Sequence, residues 1–162
     1  MRTLDFIGLD ENKVQGVTNG LAQLLADLQV YYTNLRNFHW NVKGHGFFVM
    51  HHKYEELYND TAEKVDEVAE RILQLGSNPE SRFSAYLEVA EIKEAGVVSC
   101  SKEAVDLLLD YYKTLIARER RIIDLATEAH DDTTVSLMND FLVQQEKTVW
   151  MLVAVSSQSC AE

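Results

Sequence analysis

The chain has 162 residues, 46% of them hydrophobic and 25% charged, and a formal net charge of −11. This length and composition indicate a globular rather than a disordered chain and predict one domain over residues 1–162. The acidic balance argues against a general affinity for nucleic acid or anionic lipid and favours cations, including metal ions.

The first predicted long helix begins near Asp10 or Glu11 and is ended by Gly44 and Gly46. Acidic side chains suit the start of a helix because they complement its dipole. Apolar residues recur at intervals of three and four along it, which is the pattern of one helical stripe: Leu21, Leu24, Leu25, Leu28, Tyr32, Leu35 and Phe38.

A second long helix is predicted from about Phe47 to Leu75. It is followed by Gly76 and Pro79, a glycine just past the end and a proline shortly after, which is a typical stop signal. Its periodic positions continue through the whole run: Tyr54, Leu57, Tyr58, Thr61, Val65, Val68, Ala69, Ile72 and Leu73.

The second half of the chain predicts two more long helices after a long connection. A short helix is expected within it, from Ser84 to Glu94, and the third long helix begins at Ser101. Asp131 to Thr134 form a break and the N-cap of the fourth helix. The predicted fold is therefore all-α: a ferritin-like four-helix bundle of two hairpins, joined by a crossover that carries a short extra helix.

Candidate metal ligands gather on the first hairpin. His39 lies at the end of the first helix, and His51, Glu55, Asp66 and Glu70 follow on the second. With His51 at zero, the three acids lie at about 40°, 60° and 100° around the helix axis, so all four share one side. These residue types suit iron, zinc or manganese rather than a metal that prefers thiolates.

The same side carries or borders the apolar positions Tyr58, Ala62 and Leu73. We therefore expect the four polar side chains to be at least partly buried. Buried imidazoles and carboxylates need partners, and a metal ion satisfies several of them at once.

One helix cannot bring both pairs of ligands to one ion. His51 and Asp66 are separated by about 22 Å along the helix axis, whereas ligands lie about 2 Å from a metal ion. A twofold axis near residues 60–61 would place His51 opposite Glu70 of a second copy, and Glu55 opposite Asp66. A homodimer with two equivalent sites follows from this spacing.

The glycine turn after the first helix would bring His39 beside His51, giving each site two histidines and three carboxylates. Five ligands could hold two ions, or one ion with a second arriving transiently. With open positions and no nucleophile, the expected chemistry is redox: Fe(II) binds, an oxidant takes electrons, and Fe(III) leaves. Trp40, next to His39, is a candidate electron relay or quencher and equally a packing residue.

Several segments resemble the Dps family, which are mini-ferritins also called DNA-binding proteins from starved cells. They are Phe38–Gly44 (FHWNVKG), Phe47–Phe48, Tyr54–Tyr58 (YEELY) and Asp66–Arg71 (DEVAER), together with His51. The resemblance is strong over roughly residues 15–80, and beyond them it rests on the helix pattern.

The resemblance implies that the five ligand positions form a ferroxidase centre at a dimer twofold. It further implies a hollow dodecamer, hydrogen peroxide as the preferred oxidant, a ferric core and protection against oxidative damage. The family often has Asp where this chain has Glu55, a longer acid that changes how a second iron would be held. By the same analogy, Glu128, Asp131 and Asp132 are candidates for an acidic threefold pore that admits Fe(II), although such residues also cap helices in water.

DNA-binding members of that family usually carry a flexible lysine-rich tail. Here the N-terminus has Arg2 followed by acids, and the segment 156–162 has no base. Because binding to phosphates depends on Lys and Arg, we do not expect direct DNA binding, although a divalent ion could bridge the two.

Other interpretations remain. The ligand set could be an ion-pair seam at a helix interface, or the protein could compact the nucleoid without catalysis. A di-iron site inside one bundle would need Glu-x-x-His on two helices, and no Glu here has a His three residues later. Three further histidines are expected to be surface or core groups rather than ligands: His45, His52 and His130.

Export and membrane insertion are not expected. The N-terminus lacks an apolar run of signal-peptide length, and no stretch approaches about 18 uninterrupted apolar residues. Cys100 and Cys160 do not form a metal-binding motif, so we expect free thiols in a cytoplasmic protein.

Overall fold

The computed structural model describes residues 2–157, and the regular structure within them is entirely helical. The helices are α1 (Leu4–Ile7), α2 (Glu11–Asn41), α3 (Phe47–Gln74), α4 (Phe83–Val89), α5 (Ser101–Glu128) and α6 (Asp132–Ser156). The four long helices and the short helix in the crossover were predicted, so the fold class is confirmed.

Local interactions determine where α2 begins and how the first hairpin turns. The Asp10 side chain accepts a hydrogen bond from the Asn12 N–H at 2.8 Å and caps α2. Gly44 and Gly46 have φ of 85° and 82°, a conformation that glycine adopts without steric cost. The turn they form returns the chain antiparallel within a few residues, which brings the last turn of α2 against the first turn of α3.

The two hairpins α2/α3 and α5/α6 pack against each other mainly through α2 and α5. The two helices approach closely at Gly20, where a Cβ atom would lie 2.9 Å from Cγ1 of Ile122. The core fills the space between the four helices, and its fully buried members include Leu21, Leu28, Tyr54, Leu108, Leu115 and Ile122.

The crossover, residues 75–100, is attached to α2 by two buried polar side chains. The Asp27 carboxylate accepts hydrogen bonds from the N–H groups of Glu91 and Ile92 at 2.6 and 3.0 Å. The Asn34 amide donates to Lys93 O and accepts from Ala95 N–H. A buried loop backbone is thereby satisfied without a helix or a sheet.

Asp27 also explains why the short helix ends before the predicted Glu94. The Ala90 N–H still bonds to the Tyr86 carbonyl, but the next two N–H groups bond to Asp27 instead of continuing the helix. The prediction of a helix was correct, and its C-terminal boundary was five residues too late. The single turn α1 was not predicted; Leu4 in it is buried and packs near Gly76.

The turn between α5 and α6 contains a buried ion pair. Asp131 caps α6, as predicted, by accepting from the Thr134 N–H at 3.0 Å. Its carboxylate also accepts from Arg71 of α3 at 2.6 Å, and only 1% of Asp131 is exposed. The expectation that Asp131 lies in water was therefore wrong, because its carboxylate joins the second hairpin to the first.

No helix within residues 2–157 is both long and apolar enough to cross a membrane. Cys100 is exposed and not bonded to another cysteine, and Cys160 lies outside the described residues.

Candidate metal centre

His39 and His51 form a reciprocal pair where α2 meets α3. Nδ1 of His39 lies 2.8 Å from the His51 carbonyl oxygen, and Nδ1 of His51 lies 2.8 Å from the His39 carbonyl oxygen. The two rings stack with their centroids 3.8 Å apart and their planes 20° from parallel. Because a carbonyl only accepts, each Nδ1 carries hydrogen, so that in the neutral form of each ring the free lone pair is on Nε2.

This arrangement is typical of metal-binding histidines, whose second nitrogen donates to a carbonyl or carboxylate and thereby fixes the ring. Two aromatic neighbours support it. Phe47 stacks on His51 at 5.1 Å, and Tyr58 meets His39 edge-on at 5.4 Å. Both rings are therefore held by packing as well as by hydrogen bonds.

Glu55 lies one turn after His51 on α3, and its side chain is 45% exposed. Burial of the phenol, followed by the negative charge of Glu55, raises the pKa of Tyr58. His39, His51 and Glu55 thus occupy one end of α3 and can be reached by an ion from outside.

Asp66 and Glu70 lie at the other end of α3 and are exposed. The expectation that they are partly buried was wrong for the single chain, because nothing in it covers the outward face of α3; Ala62 and Leu73 on this face are exposed as well. Neither carboxylate takes part in an ion pair or a side-chain hydrogen bond among residues 2–157. Within the same residues, no group of three or more His, Cys, Asp or Glu side chains could hold a metal ion.

Trp40 extends from the last turn of α2 and is 64% exposed. The guanidinium carbon of Arg36 lies 4.7 Å from its ring centroid, in a cation–π contact. Trp40 is therefore not part of the hydrophobic core of the single chain.

Of the three acids predicted for a pore, Asp131 is engaged by Arg71, as described above, and is not available to line one. Glu128 and Asp132 are exposed. His52 is exposed and lies 3.3 Å from Glu56, and His130 is exposed at the end of α5.

The interior of the bundle holds a polar cluster that was not predicted from the sequence. The Gln145 amide of α6 donates to the Glu119 carboxylate of α5 at 2.6 Å, and Glu119 is fully buried. Burial raises the pKa of Glu119 to about 8, against the lowering effects of Gln145, Lys64 and Arg120. The available signal was a charged residue on an apolar stripe, since Glu119 lies between Leu115 and Ile122.

Lys64 on α3 belongs to the same interior and is 4% exposed. Its ammonium donates to Asp60 at 2.5 Å and to Gln144 at 2.7 Å, and it lies 5.2 Å from the Phe141 ring centroid. The bundle interior therefore already contains a cation, held by side chains of the same chain.

The sequence matches the ferritin-like domain family over residues 18–158. The DNA protection during starvation protein of Porphyromonas gingivalis is 52% identical over 97% of this chain and 99% of its own length. Dps from Vibrio cholerae, described as one of the ferritin-like diiron-carboxylate proteins, gives a TM-score of 0.92 at 43% identity and covers 94% of this chain and 96% of its own. Zinc-soaked Dps from Listeria innocua gives a TM-score of 0.83 at 30% identity, over 86% and 94%.

Proposed function

The chain belongs to the Dps family of ferritin-like proteins, and from that premise we propose that it oxidises Fe(II) at sites shared between two subunits and stores the ferric product in a hollow homo-oligomer. The proposed oligomer is a dodecamer, as the family resemblance implies. Iron is substrate and cargo in this reaction. The expected consequence is protection against oxidative damage, because Fe(II) and peroxide are removed together.

The reciprocal pair of His39 and His51 is the observation that carries the proposal. Two neutral imidazoles with Nδ1 fixed by carbonyls present two Nε2 lone pairs at one end of α3. An ion pair at a helix interface would need a carboxylate beside Nε2 of each ring, and within residues 2–157 the histidine that lies within 4 Å of carboxylates is His52. The geometry thus favours a metal site over the ion-pair seam considered for the same residues.

A second copy is required to complete the site. Asp66 and Glu70 lie on the same helix as His51 but about 22 Å and 28 Å away along its axis, so they cannot reach an ion bound there. Among residues 2–157 they are exposed and have no ion-pair partner, as is expected of ligands that complete a site in a second subunit. We propose that each site takes His39, His51 and Glu55 from one copy and Asp66 and Glu70 from the other.

Each proposed site accommodates two iron ions, or one iron with a second arriving transiently. Zinc and manganese are proposed as substitutes because they accept the same nitrogen and oxygen ligands. We further propose hydrogen peroxide as the preferred oxidant. Equal or faster formation of ferric product with dioxygen would contradict that preference without affecting the assignment as a ferroxidase.

The shared site can be tested by complementation. One variant carries His39→Ala and His51→Ala, and a second carries Asp66→Asn and Glu70→Gln. Alone, each should lose about 100-fold or more in the rate of Fe(II) oxidation, because both sites of its homodimer lack ligands. Co-expressed, they should form mixed dimers in which one of the two sites is complete, and the rate should recover in proportion to those dimers.

The matched control combines two exposed residues of the same helix that are not proposed as ligands, Glu63→Gln and Glu67→Gln, and it should leave the rate unchanged. Mass spectrometry verifies that mixed dimers form. Mixed dimers that do not recover oxidation would contradict the shared site and favour a site within one chain.

Nucleoid compaction without catalysis is the second candidate, and it is suggested by the names of the relatives. The net charge of −11 argues against it. We expect no retardation of duplex DNA at moderate salt without divalent metal. A retarded complex whose affinity falls steeply as salt is added would reveal a basic surface and revive that candidate.

Glu128 and Asp132 remain the proposed acids of an entry pore, without Asp131. A cytoplasmic setting remains a proposal that follows from the sequence alone.

A further inference from the structure

A cavity of about 430 Å³ lies where the first turns of α3 and α5 meet the last turn of α6. The residues that line it include Val49 of α3, Ser101 and Val105 of α5, and Val155 and Ser156 of α6. Val49 is 72% exposed and Val155 is 65% exposed, so nothing within residues 2–157 covers these apolar side chains. An apolar wall of this kind favours a further segment of protein as its cover.

The chain leaves α6 at the edge of this cavity. The Val153 carbonyl oxygen accepts from the N–H of Ser157 at 2.9 Å and from the hydroxyls of Ser156 and Ser157 at 2.9 and 2.7 Å. These bonds satisfy one of the last carbonyl groups of the helix, which ends at Ser156. Cys160 follows Ser157 by only three residues.

The other cysteine, Cys100, has an exposed side chain and a main chain that is fixed on both sides. The carbonyl of Ser99 accepts from the Lys43 N–H at 3.1 Å, and the carbonyl of Cys100 accepts from the Ala104 N–H at 3.0 Å. The next residue, Ser101, lines the same cavity as Ser156. Cys100 therefore presents its thiol at a fixed place beside the cavity.

The length of chain after α6 matches the width of the cavity. Three extended residues span about 10 Å, and a disulfide bond joins Cα atoms about 5.5 Å apart. Starting from Ser157, Cys160 can thus bond to a cysteine whose Cα atom lies up to about 16 Å away. A compact cavity of about 430 Å³ is narrower than this reach.

We propose that hydrogen peroxide converts Cys100 and Cys160 of one subunit into a disulfide bond, which fixes the segment 158–162 over this cavity. The reaction requires peroxide and no metal, so it does not depend on the proposed iron chemistry. Free thiols, as expected from the sequence, are the reduced form of this pair. A disulfide that forms with peroxide and is reversed by thiols is a redox site rather than a structural staple.

The reaction balances in two steps. The Cys100 thiolate attacks one oxygen of the peroxide, the O–O bond breaks, and a sulfenic acid and one water molecule form. The Cys160 thiolate then attacks the sulfur of the sulfenic acid, the S–S bond forms, and the sulfenic oxygen leaves as a second water molecule. The two sulfurs together lose two electrons, and one peroxide molecule gains them.

The test uses the assembled protein, freed of metal with a chelator, reduced, and then treated with a small excess of peroxide over subunits. Remaining thiols are blocked, and the protein is separated without reductant and digested with trypsin. Cleavage after lysine places Cys100 in peptide 94–102 and Cys160 in peptide 148–162. We expect these two peptides to be joined in the band of the single subunit and to separate after dithiothreitol.

Two kinds of variant sharpen the test. Cys160→Ser should leave the first step intact, so dimedone should trap several-fold more sulfenic acid at Cys100 than in the unsubstituted protein. Val49→Trp should fill the cavity and slow disulfide formation several-fold while both thiols are kept. Its matched control is Val143→Trp, because that valine is also 72% exposed but lies away from the cavity. The control should form the disulfide at the unsubstituted rate.

Three results would overturn the proposal. In the first, peroxide leaves both thiols free. In the second, Cys100 is oxidised to sulfenic or sulfinic acid without a bond to Cys160. In the third, the two peptides are joined only in a band of two subunits, which would place the disulfide between copies of the chain. Each result leaves the ferroxidase function standing, since the protein in this test holds no iron.

Discussion

Charged side chains inside the bundle differ from Asp66 and Glu70 on the outward face of α3. Those inside have ion-pair or hydrogen-bond partners within the described part of the chain, and the two outward acids have none there. Inside, the Lys64 ammonium has two oxygen acceptors and the Arg71 guanidinium pairs with Asp131 at 2.6 Å. Outside, Asp66 and Glu70 have no ion-pair partner among the described residues, and the fixed histidines keep free Nε2 lone pairs. Buried charges must be paired within the chain, whereas the open set can accept an ion and a second subunit.

The difference also decides against a di-iron site inside one bundle. Such a site would have to form around the buried Glu119, but the Lys64 ammonium already contributes positive charge to it. A divalent ion would meet this cation in a region of low dielectric, where repulsion is strong. The interior cluster is therefore structural, and we assign the proposed iron chemistry to the outer face of α3.

The largest expected effect on stability comes from breaking the interior ion pair at Asp131. Asp131→Ala leaves the Arg71 charge buried without its partner and removes the N-cap of α6, so the free energy of unfolding should fall by about 3–5 kcal/mol. The exposed neighbour provides the contrast, because Asp132→Ala should change it by less than about 0.5 kcal/mol. Denaturant unfolding at matched subunit concentration measures both.

The same two variants sharpen the pore proposal. Iron uptake that slows in Asp132→Ala at unchanged stability would support an entry pore without Asp131. A destabilisation by Asp132→Ala as large as that by Asp131→Ala would contradict the distinction between paired interior acids and open exterior ones.

The sequence predicted the fold well because the determinants of the fold are local. The periodic apolar stripes, the Asp10 and Asp131 caps and the glycine stops at Gly44 and Gly76 each act within a few residues. The proximity of His39 to His51 was predicted for the same reason, since a short turn connects their helices. What the sequence missed depends on distant partners: Asp27 ends α4 through contacts 64 and 65 residues away.

The candidate site was predictable only in part, for a related reason. Residue types and helical spacing select His51, Glu55, Asp66 and Glu70, but the reciprocal bonds that fix the histidines need coordinates. The contact of Tyr58 with the His39 ring also requires coordinates, because an aromatic residue at position 58 fits core packing equally well. Lys64 and Glu119 occupy apolar stripes, and periodicity alone assigns such positions to apolar side chains.

The second-largest expected effect is a pH dependence of the unfolding free energy, caused by the buried carboxyl group of Glu119. Its pKa in the folded chain is about 8, above the ordinary 4.5, so the folded state holds a proton that the unfolded state releases. The stabilising contribution of Glu119 should therefore be greatest below about pH 4.5 and should be lost as the pH rises towards 8. We expect a loss on the order of 3 kcal/mol, less than the full shift in pKa implies, because water can approach the ionised group.

Glu119→Gln removes the titrating group while keeping its shape, and the unfolding free energy between pH 5 and 8 should become flatter by that amount. Fe(II) oxidation at neutral pH should be unchanged, since the interior cluster takes no part in it. If the unfolding free energy of Glu119→Gln depends on pH as steeply as that of the unsubstituted protein, the titration is not due to Glu119. A large loss in the rate of Fe(II) oxidation would show that the interior cluster is not independent of the outer site.

A small gain in stability is expected at His130, an exposed histidine that is not proposed as a ligand. Its φ of 58° is the left-handed conformation that ends α5, with the Asp131 N–H bonded to Ala126 O and its own N–H bonded to Thr127 O. Gly76 ends α3 by the same pattern at φ 82°, with glycine in that place. His130→Gly should relieve backbone strain and raise the unfolding free energy by about 0.5–1 kcal/mol, after the greater freedom of glycine in the unfolded chain is subtracted.

The thermal midpoint at matched subunit concentration should rise by a few degrees, and the rate of Fe(II) oxidation should stay the same. A lower rate of Fe(II) oxidation in His130→Gly would show that an exposed histidine whose ring is not fixed by hydrogen bonds also takes part in the reaction. That result would contradict the argument that the reciprocal bonds of His39 and His51 identify the functional histidines.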